Sequence, residues 1–204
     1  RVIGSMTDVT DRRLLEERLR HDAYHDPLTG LPNRIVFLDR LNRAITLAQR
    51  QPDHRFAVVF LDLDGFKIVN DSFGHRAGDE VLTRVAERLT QQLRPRDTVA
   101  RFGGDEFVLL LDDLGDPADL QNMLIRVLSV IAAPLVIDGR TMSVGAAAGV
   151  VASTSGHGTA DEYLRDADAA MYQAKASGSG SFVLLDRSVS ASGANRGRPG
   201  TGPP

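Results

Sequence analysis

Phe56, Ala57, Val58, Val59, Phe60 and Leu61 form an unbroken apolar run rich in β-branched and aromatic side chains. Pro52-Asp53 stands just before it and Asp64-Gly65 just after. A short apolar run bounded by turn residues reads as a strand buried in a sheet. Such a strand needs layers of other structure against it, which rules out an extended or fibrous chain. Its end carries charge. Alternate side chains of a strand share a face, so Asp62 and Asp64 point the same way. Two carboxylates at the end of an apolar strand call for a cation or a strong donor. Taken alone, a pair of solvated turn aspartates also accounts for them.

Periodicity supplies the covering helices. Ile35, Leu38, Leu41, Ile45 and Ala48 recur at helical spacing before the strand. Val81, Leu82, Val85, Leu89 and Leu93 do so after it, ending ahead of Pro95. Residues 25–33 are turn chemistry, and residues 64–74 read as a loop. Residues 98–102 and 106–111 flank Gly103-Gly104 as a hairpin. Pro117 opens a helix running to about Ala133. Residues 135–137 and 141–152 suggest a second hairpin around Asp138-Gly139. Asp161 caps a helix bearing Leu164, Ala167, Met171 and Ala174, and residues 181–185 form a last short strand. The order β-α-β-β-α-β, with a helix ahead and a helix–strand pair behind, is a ferredoxin-like α+β plan. Its mainly antiparallel central sheet is covered by helices.

Composition narrows the function classes. The 204-residue chain has a formal net charge of -3 and no cysteine. No basic face favours nucleic acid, and disulfides and thiolate metal sites are excluded. No apolar run reaches the roughly 20 residues of a membrane helix, so no membrane segment is expected and cytoplasmic placement is the default. Residues 11–24 read as a charged helix, either a solvated linker or a coiled-coil connector. From residue 188 the chain is Ser, Gly, Pro and Arg, too poor in apolar groups to offset its ordering entropy.

A second acidic pair gives Asp62 and Asp64 chemical meaning. Asp105 and Glu106 follow Gly103-Gly104 in the hairpin turn, where glycine permits positive φ and close approach of a ligand. Neighbouring strands would bring Asp105 near Asp62. Oxygen ligands without His or Cys suit Mg²⁺ or Mn²⁺, and Mg²⁺ is commonly shared between one or two carboxylates and substrate phosphates. Lys67 and nearby backbone N–H groups are candidates for phosphate. Asn70 and Asp79 are candidates for a base edge, since a carboxylate accepts from guanine N1–H and N2–H and a carboxamide both donates and accepts. Singly, Asn70 reads as a loop residue and Asp79 as a first-turn helix charge; the set is harder to dismiss. There is no Walker-type phosphate loop. His75 is equally well a loop-packing residue.

These residues resemble the GGDEF domains, the diguanylate cyclases. Asp26-Pro27-Leu28-Thr29-Gly30-Leu31-Pro32-Asn33-Arg34 matches their opening signature. Asp62-Leu63-Asp64-Gly65-Phe66-Lys67-Ile68-Val69-Asn70-Asp71 and the following Ser72-Phe73-Gly74-His75 match the nucleotide-binding stretch, continued by Gly78-Asp79-Glu80-Val81-Leu82. Arg101-Phe102-Gly103-Gly104-Asp105-Glu106-Phe107 is the naming motif, and Ala167-Asp168-Ala169-Ala170-Met171-Tyr172-Gln173-Ala174-Lys175 the closing helix. The resemblance covers residues 25–187. It implies a nucleotidyl cyclase-type fold and condensation of two GTP into cyclic di-GMP and two pyrophosphates across a homodimer. It implies metal binding by Asp62, the Leu63 carbonyl and Asp105, with Glu106 at a second metal or the attacking hydroxyl. Guanine would be read by Asn70 and Asp79, phosphates held by Lys67 and Lys175, and substrate laid against Gly103 and Gly104.

Arg94 and Asp97 match the family's Arg-x-x-Asp site for cyclic di-GMP as inhibitor, although a charged loop after a helix is the ordinary reading of such residues. Two departures stand out. Gly178-Ser179-Gly180 lacks the family's phosphate-contacting Arg, and Ala147-Ala148-Gly149 replaces its usual Ser-Ile-Gly. Residues 1–10 resemble the end of a PAS sensor domain, with residues 11–24 as its signalling linker and 188–204 as a disordered tail. The competing reading is a catalytically weak GGDEF domain that binds GTP or cyclic di-GMP as a regulatory module. Retention of Asp105 and Glu106 favours the enzyme.

Overall fold

The computed structural model describes residues 22–51, 53–153 and 158–186. The expected PAS remnant, most of the linker helix and the tail lie outside the described residues; Asp22, Ala23 and Tyr24 are helical. The elements are α1 (Arg34–Arg50), β1 (Ala57–Asp64), α2 (Phe66–Phe73), α3 (His75–Gln92), β2 (Thr98–Gly103) and β3 (Glu106–Leu111). They continue with α4 (Pro117–Ala132), β4 (Leu135–Ile137), β5 (Arg140–Met142), β6 (Gly145–Ala152), α5 (Ala160–Ser177) and β7 (Phe182–Asp186). The main sheet has the order β2-β3-β1-β6-β7. All its pairings are antiparallel except β6 with β7. This is the α+β plan expected from the sequence, with β1 at the centre.

Alternation along β1 divides the core in two. Ala57, Val59, Leu61 and Leu63 pack with Val81, Val85 and Leu89 of α3 and Leu124, Val127 and Leu128 of α4. Phe56, Val58 and Phe60 pack with Phe37, Leu41 and Ala48 of α1 and Tyr163, Leu164 and Met171 of α5. Both faces are thus covered by helices. The parity also places Asp62 and Asp64 on the α5 side, since they share the register of Val58 and Phe60.

Four expectations change in detail. Residues 66–73, expected as a loop, form α2: Gly65 at φ 71° ends the strand, and buried Val69 anchors the helix. A helix this short is stabilised by packing, so its periodicity was too brief to read. The cap of α5 is Thr159 in a capping box with Glu162, not Asp161. The expected second hairpin is split: β4 and β5 form their own two-stranded sheet, while β6 belongs to the main sheet. In α1 the core face is set by Phe37, Leu41, Ala44, Ile45 and Ala48, and Ile35 is exposed.

Gly149 of β6 explains how α5 lies so close to the sheet. A Cβ there would stand 1.9 Å from the Ala167 carbonyl oxygen and 2.1 Å from the Met171 nitrogen, both backbone atoms of α5. Backbone cannot swing aside as a side chain can. Gly149→Ala should therefore destabilise the domain by about 3 kcal/mol or more, beyond ordinary overpacking. Urea unfolding with the wild-type domain alongside checks this; a loss below about 1 kcal/mol would show that α5 can retreat.

Candidate active site

The site forms where β1 leaves the core. Asp62 is opposite Glu106 on β3 and Ala147 on β6. Asp64 is opposite Gly145. The small residues on β6 leave the carboxylates room. The N–H of Leu63 donates to the Asp105 carbonyl at 3.3 Å, tying the end of β1 to the hairpin turn. Asp62, Leu63, Asp105 and Glu106 are therefore together, as the sequence suggested.

Gly103 and Gly104 have φ of 145° and 51°, and nothing lies within 4 Å of where a Cβ would stand on either. The turn is open above the carboxylates. Its backbone is held from below. Arg101 donates from Nε and Nη2 to the Gly104 carbonyl at 3.1 and 2.8 Å, and from Nη1 to both oxygens of Asp26 at 3.0 Å. Asp26 also accepts from the Thr29 N–H and hydroxyl at 2.8 and 2.7 Å. Phe102, next to the turn, is wedged edge-on against Phe37 and Phe60 at centroid distances of 5.4 and 5.9 Å. The tie from Asp26 through Arg101 to Gly104 was not anticipated; the charges sit in separate motifs, and only the fold joins them.

The electrostatics are those of crowded carboxylates. Burial pushes the Asp62 carboxyl above its usual range, and Asp105 and Asp64 push it further, while Lys175 holds it back. Burial, together with Asp62, Asp168 and Asp105, likewise raises Glu106. The Lys175 ammonium pairs with Asp62 at 2.7 Å. Although burial opposes it, that bond and the surrounding carboxylates raise the Lys175 pKa. Lys175, expected to hold phosphate, thus rests on the Asp62 carboxylate. Asp168 faces the same cluster from α5 and was not singled out from the sequence.

The donor set fits a divalent ion. The Asp64 Oδ2 is buried with no hydrogen-bond partner, and Asp62 at the end of β1 lies within electrostatic reach of Asp105 in the β2–β3 turn. Among the described residues no three acidic, His or Cys side chains form a closed metal cluster. Two carboxylates with a carbonyl suit an ion that completes its shell with phosphate oxygens.

The remaining candidates lie around this centre. No side chain caps the first turn of α2, so the N–H groups at its start, beside exposed Lys67, are the usual kind of phosphate seat. Asn70 is half-buried at the end of α2 against Gly78 of α3, which also carries exposed Asp79. Arg94 and Asp97 lie at the other end of β2 from Gly103. There a cleft of about 350 Å³ is lined by both, with Met123 and Arg126 of α4. Asp97 accepts from the N–H of Arg94 at 2.9 Å and of Asp112 at 3.1 Å. His75 is exposed at the start of α3.

Fold and site together define a nucleotidyl cyclase-type domain. Residues 23–181 match the family model described as "Diguanylate cyclase, GGDEF domain", and the chain belongs to that family. It is 44% identical over 169 residues to the bifunctional diguanylate cyclase/cyclic di-GMP phosphodiesterase MucR of Pseudomonas aeruginosa, covering 83% of this chain and 24% of MucR. It is 43% identical over 177 residues to the diguanylate cyclase TpbB of Pseudomonas aeruginosa, covering 85% of this chain and 40% of TpbB. The chain thus spans less than half the length of either relative. Among solved structures, the coiled coil and GGDEF domain of DgcB from Caulobacter crescentus, in complex with c-di-GMP, superposes with a TM-score of 0.77 at 27% identity. That match covers 87% of this chain and 94% of the DgcB chain.

The Asp26–Arg101 tie has a pH signature. Burial opposes ionisation of Asp26, but hydrogen bonds from Thr29 and Arg101 outweigh it and hold the carboxyl below the usual range. A carboxyl depressed by folding contributes stability that is present above its unfolded pKa and lost as pH falls through its folded one. Asp26→Asn should cost about 1.5–3 kcal/mol at neutral pH. The gap between variant and wild type should close as pH falls through and below the ordinary aspartate range, measured by urea unfolding across pH. A gap independent of pH would remove the charge from this role.

Proposed function

We propose that this domain condenses two GTP molecules into cyclic di-GMP with release of two pyrophosphates. The observation that carries the reading is that the end of β1, with Asp62, is hydrogen-bonded through Leu63 to Asp105 in the open Gly103-Gly104 turn. Kinship to TpbB and MucR supports it, as does the carboxylate cluster that lacks a charge balance of its own.

Asp62, the Leu63 carbonyl and Asp105 would hold Mg²⁺ or Mn²⁺. When bound, the ion supplies stabilisation of the developing charge at the α-phosphate and activates the 3′-hydroxyl. Glu106, opposite Asp62 at the same strand end, takes the proton of that hydroxyl. Lys67 and the start of α2 seat the phosphates. Lys175 turns from Asp62 to the triphosphate as substrate enters. Asn70 and Asp79 read guanine. Gly103 and Gly104 let the nucleotide lie on the backbone. One domain offers one such site, and a cyclic dinucleotide needs two facing each other. A two-fold homodimer meets this requirement. The segment before residue 25 would set the approach of the two domains under an upstream PAS-like sensor, and cytoplasmic placement would give access to GTP.

Arg94 and Asp97 are assigned to the product. The cleft they line does not include Asp62, Asp64, Asp105 or Glu106, and the Arg94 guanidinium offers a planar fork for a guanine edge or phosphate. Cyclic di-GMP bound there would favour a nonproductive arrangement of the two domains. The solved complex of DgcB with c-di-GMP supports the ligand class.

Two outcomes follow. With GTP and Mg²⁺, the purified protein should form cyclic di-GMP. Asp62→Asn and Asp105→Asn should each lower the rate by about a hundredfold or more while leaving the circular dichroism spectrum unchanged. Wild-type rates in either variant would remove the assignment. Cyclic di-GMP should inhibit without competing with GTP, and Arg94→Ala should relieve that inhibition. Arg94 is the cleaner variant, because Asp97 also holds backbone N–H groups. Inhibition that rising GTP overcomes would place the product at the active site instead.

A further inference from the structure

Gly78 has no backbone reason to be glycine. It sits in the first turns of α3, its N–H donating to the Gly74 carbonyl at 3.3 Å. It is not among the residues of positive φ. Glycine is the poorest ordinary helix former, and alanine would suit a buried helical position better. What distinguishes the position is the space above it. A Cβ there would lie 2.0 Å from the Asn70 Oδ1, 3.0 Å from the Asn70 Cγ and 3.2 Å from the Phe66 Cζ. The Asn70 carboxamide occupies the volume that any other side chain at residue 78 would fill.

We infer that Gly78 is a positioning residue for base recognition: its missing Cβ is the socket that seats the Asn70 carboxamide against guanine. This rests on the assignment of Asn70 to the base and adds a cause for its orientation. The geometry separates function from stability. At Gly149 a Cβ would meet backbone; at Gly78 it meets first the far end of one flexible side chain. The helix cannot give way, because Ala77, Val81 and Leu82 fix α3 in the core. The Phe66 ring closes one side of the socket. The carboxamide is therefore the part that moves, outward from the seat. A shifted carboxamide loses its hydrogen bonds to the base but leaves the carboxylates of β1 and the Gly103-Gly104 turn untouched.

The test is a double-mutant cycle on the full chain, using Gly78→Ala, Asn70→Ala and the pair. KM and kcat are measured for GTP, with ATP as the competing nucleotide and thermal unfolding as the control. Gly78→Ala should raise KM for GTP roughly tenfold and narrow the preference for GTP over ATP, as loss of polar base contacts requires. Its kcat should stay within about twofold, the signature of lost uniform binding. Its Tm should stay within roughly 5 °C of wild type. In the Asn70→Ala background Gly78→Ala should change KM no further, because the group it displaces is gone. Effects of Gly78→Ala that are equal in both backgrounds, or an unchanged KM alongside a defective Asn70→Ala, would overturn the socket and leave the base assignment standing. An Asn70→Ala variant with wild-type KM and selectivity would overturn the base assignment and the socket with it. Should Gly78→Ala unfold, the claim that the carboxamide is the part that moves is wrong.

Discussion

Strand β1 is covered by helices on both faces, and the placement of charge in this domain follows from that burial. A carboxylate in its middle would be stranded in apolar surroundings. Asp62 and Asp64 stand instead at the carboxyl end, where the strand leaves the core. Their even spacing sends them to the face of α5, within reach of Lys175. The neighbouring strands complete the arrangement. Glu106 stands opposite Asp62 on β3, and the small residues Gly145 and Ala147 stand opposite Asp64 and Asp62 on β6. The helix that brings Lys175 approaches so near only because Gly149 offers no side chain to its backbone.

The hairpin turn illustrates how a flexible segment is made definite. Two glycines at positive φ leave the turn bare on its outer side. Left alone, such a turn would sample many conformations. Arg101 removes that freedom by holding the Gly104 carbonyl with one edge of its guanidinium and Asp26 with the other. Asn33, at the end of the same N-terminal turn, donates to the Ala23 carbonyl at 2.9 Å. The helical residues 22–24 are thus joined by hydrogen bonds to the segment that grips the hairpin, a contiguous connection between the domain entrance and the carboxylate site.

The carboxylate cluster carries a local electrostatic cost. Asp62 and Glu106 ionise less readily than ordinary carboxylates because burial and mutual repulsion work against them. A buried Asp64 oxygen has no partner. Among the described residues the other buried side-chain polar atoms are paired, and half-buried Arg88 donates to the carbonyls of Val130, Ile131, Ala133 and Pro134 at the end of α4. Crowded carboxylates at one strand end, against paired polar side chains elsewhere among the described residues, support reading this strand end as the site.

Much of this was legible in the linear chain. The apolar run of β1, the Gly-Gly turn and the helical periodicities around Leu41, Val85 and Ala167 report local physics: alternation, positive φ and amphipathic spacing act between residues close in sequence. Motif spacing likewise pointed to Asp62, Asp105 and Asn70. Tertiary structure alone decided the rest. The helix at residues 66–73 is too short to declare itself and exists because Val69 is packed. The split of residues 135–152 depended on which sheet each piece joined. Lys175 meets Asp62 across more than a hundred residues, and Arg101 meets Asp26 from another motif. Gly78 and Gly149 look alike in the sequence, one glycine in a helix and one in a strand. What each excludes, a carboxamide in one case and a helix backbone in the other, depends on neighbours that only folding brings near.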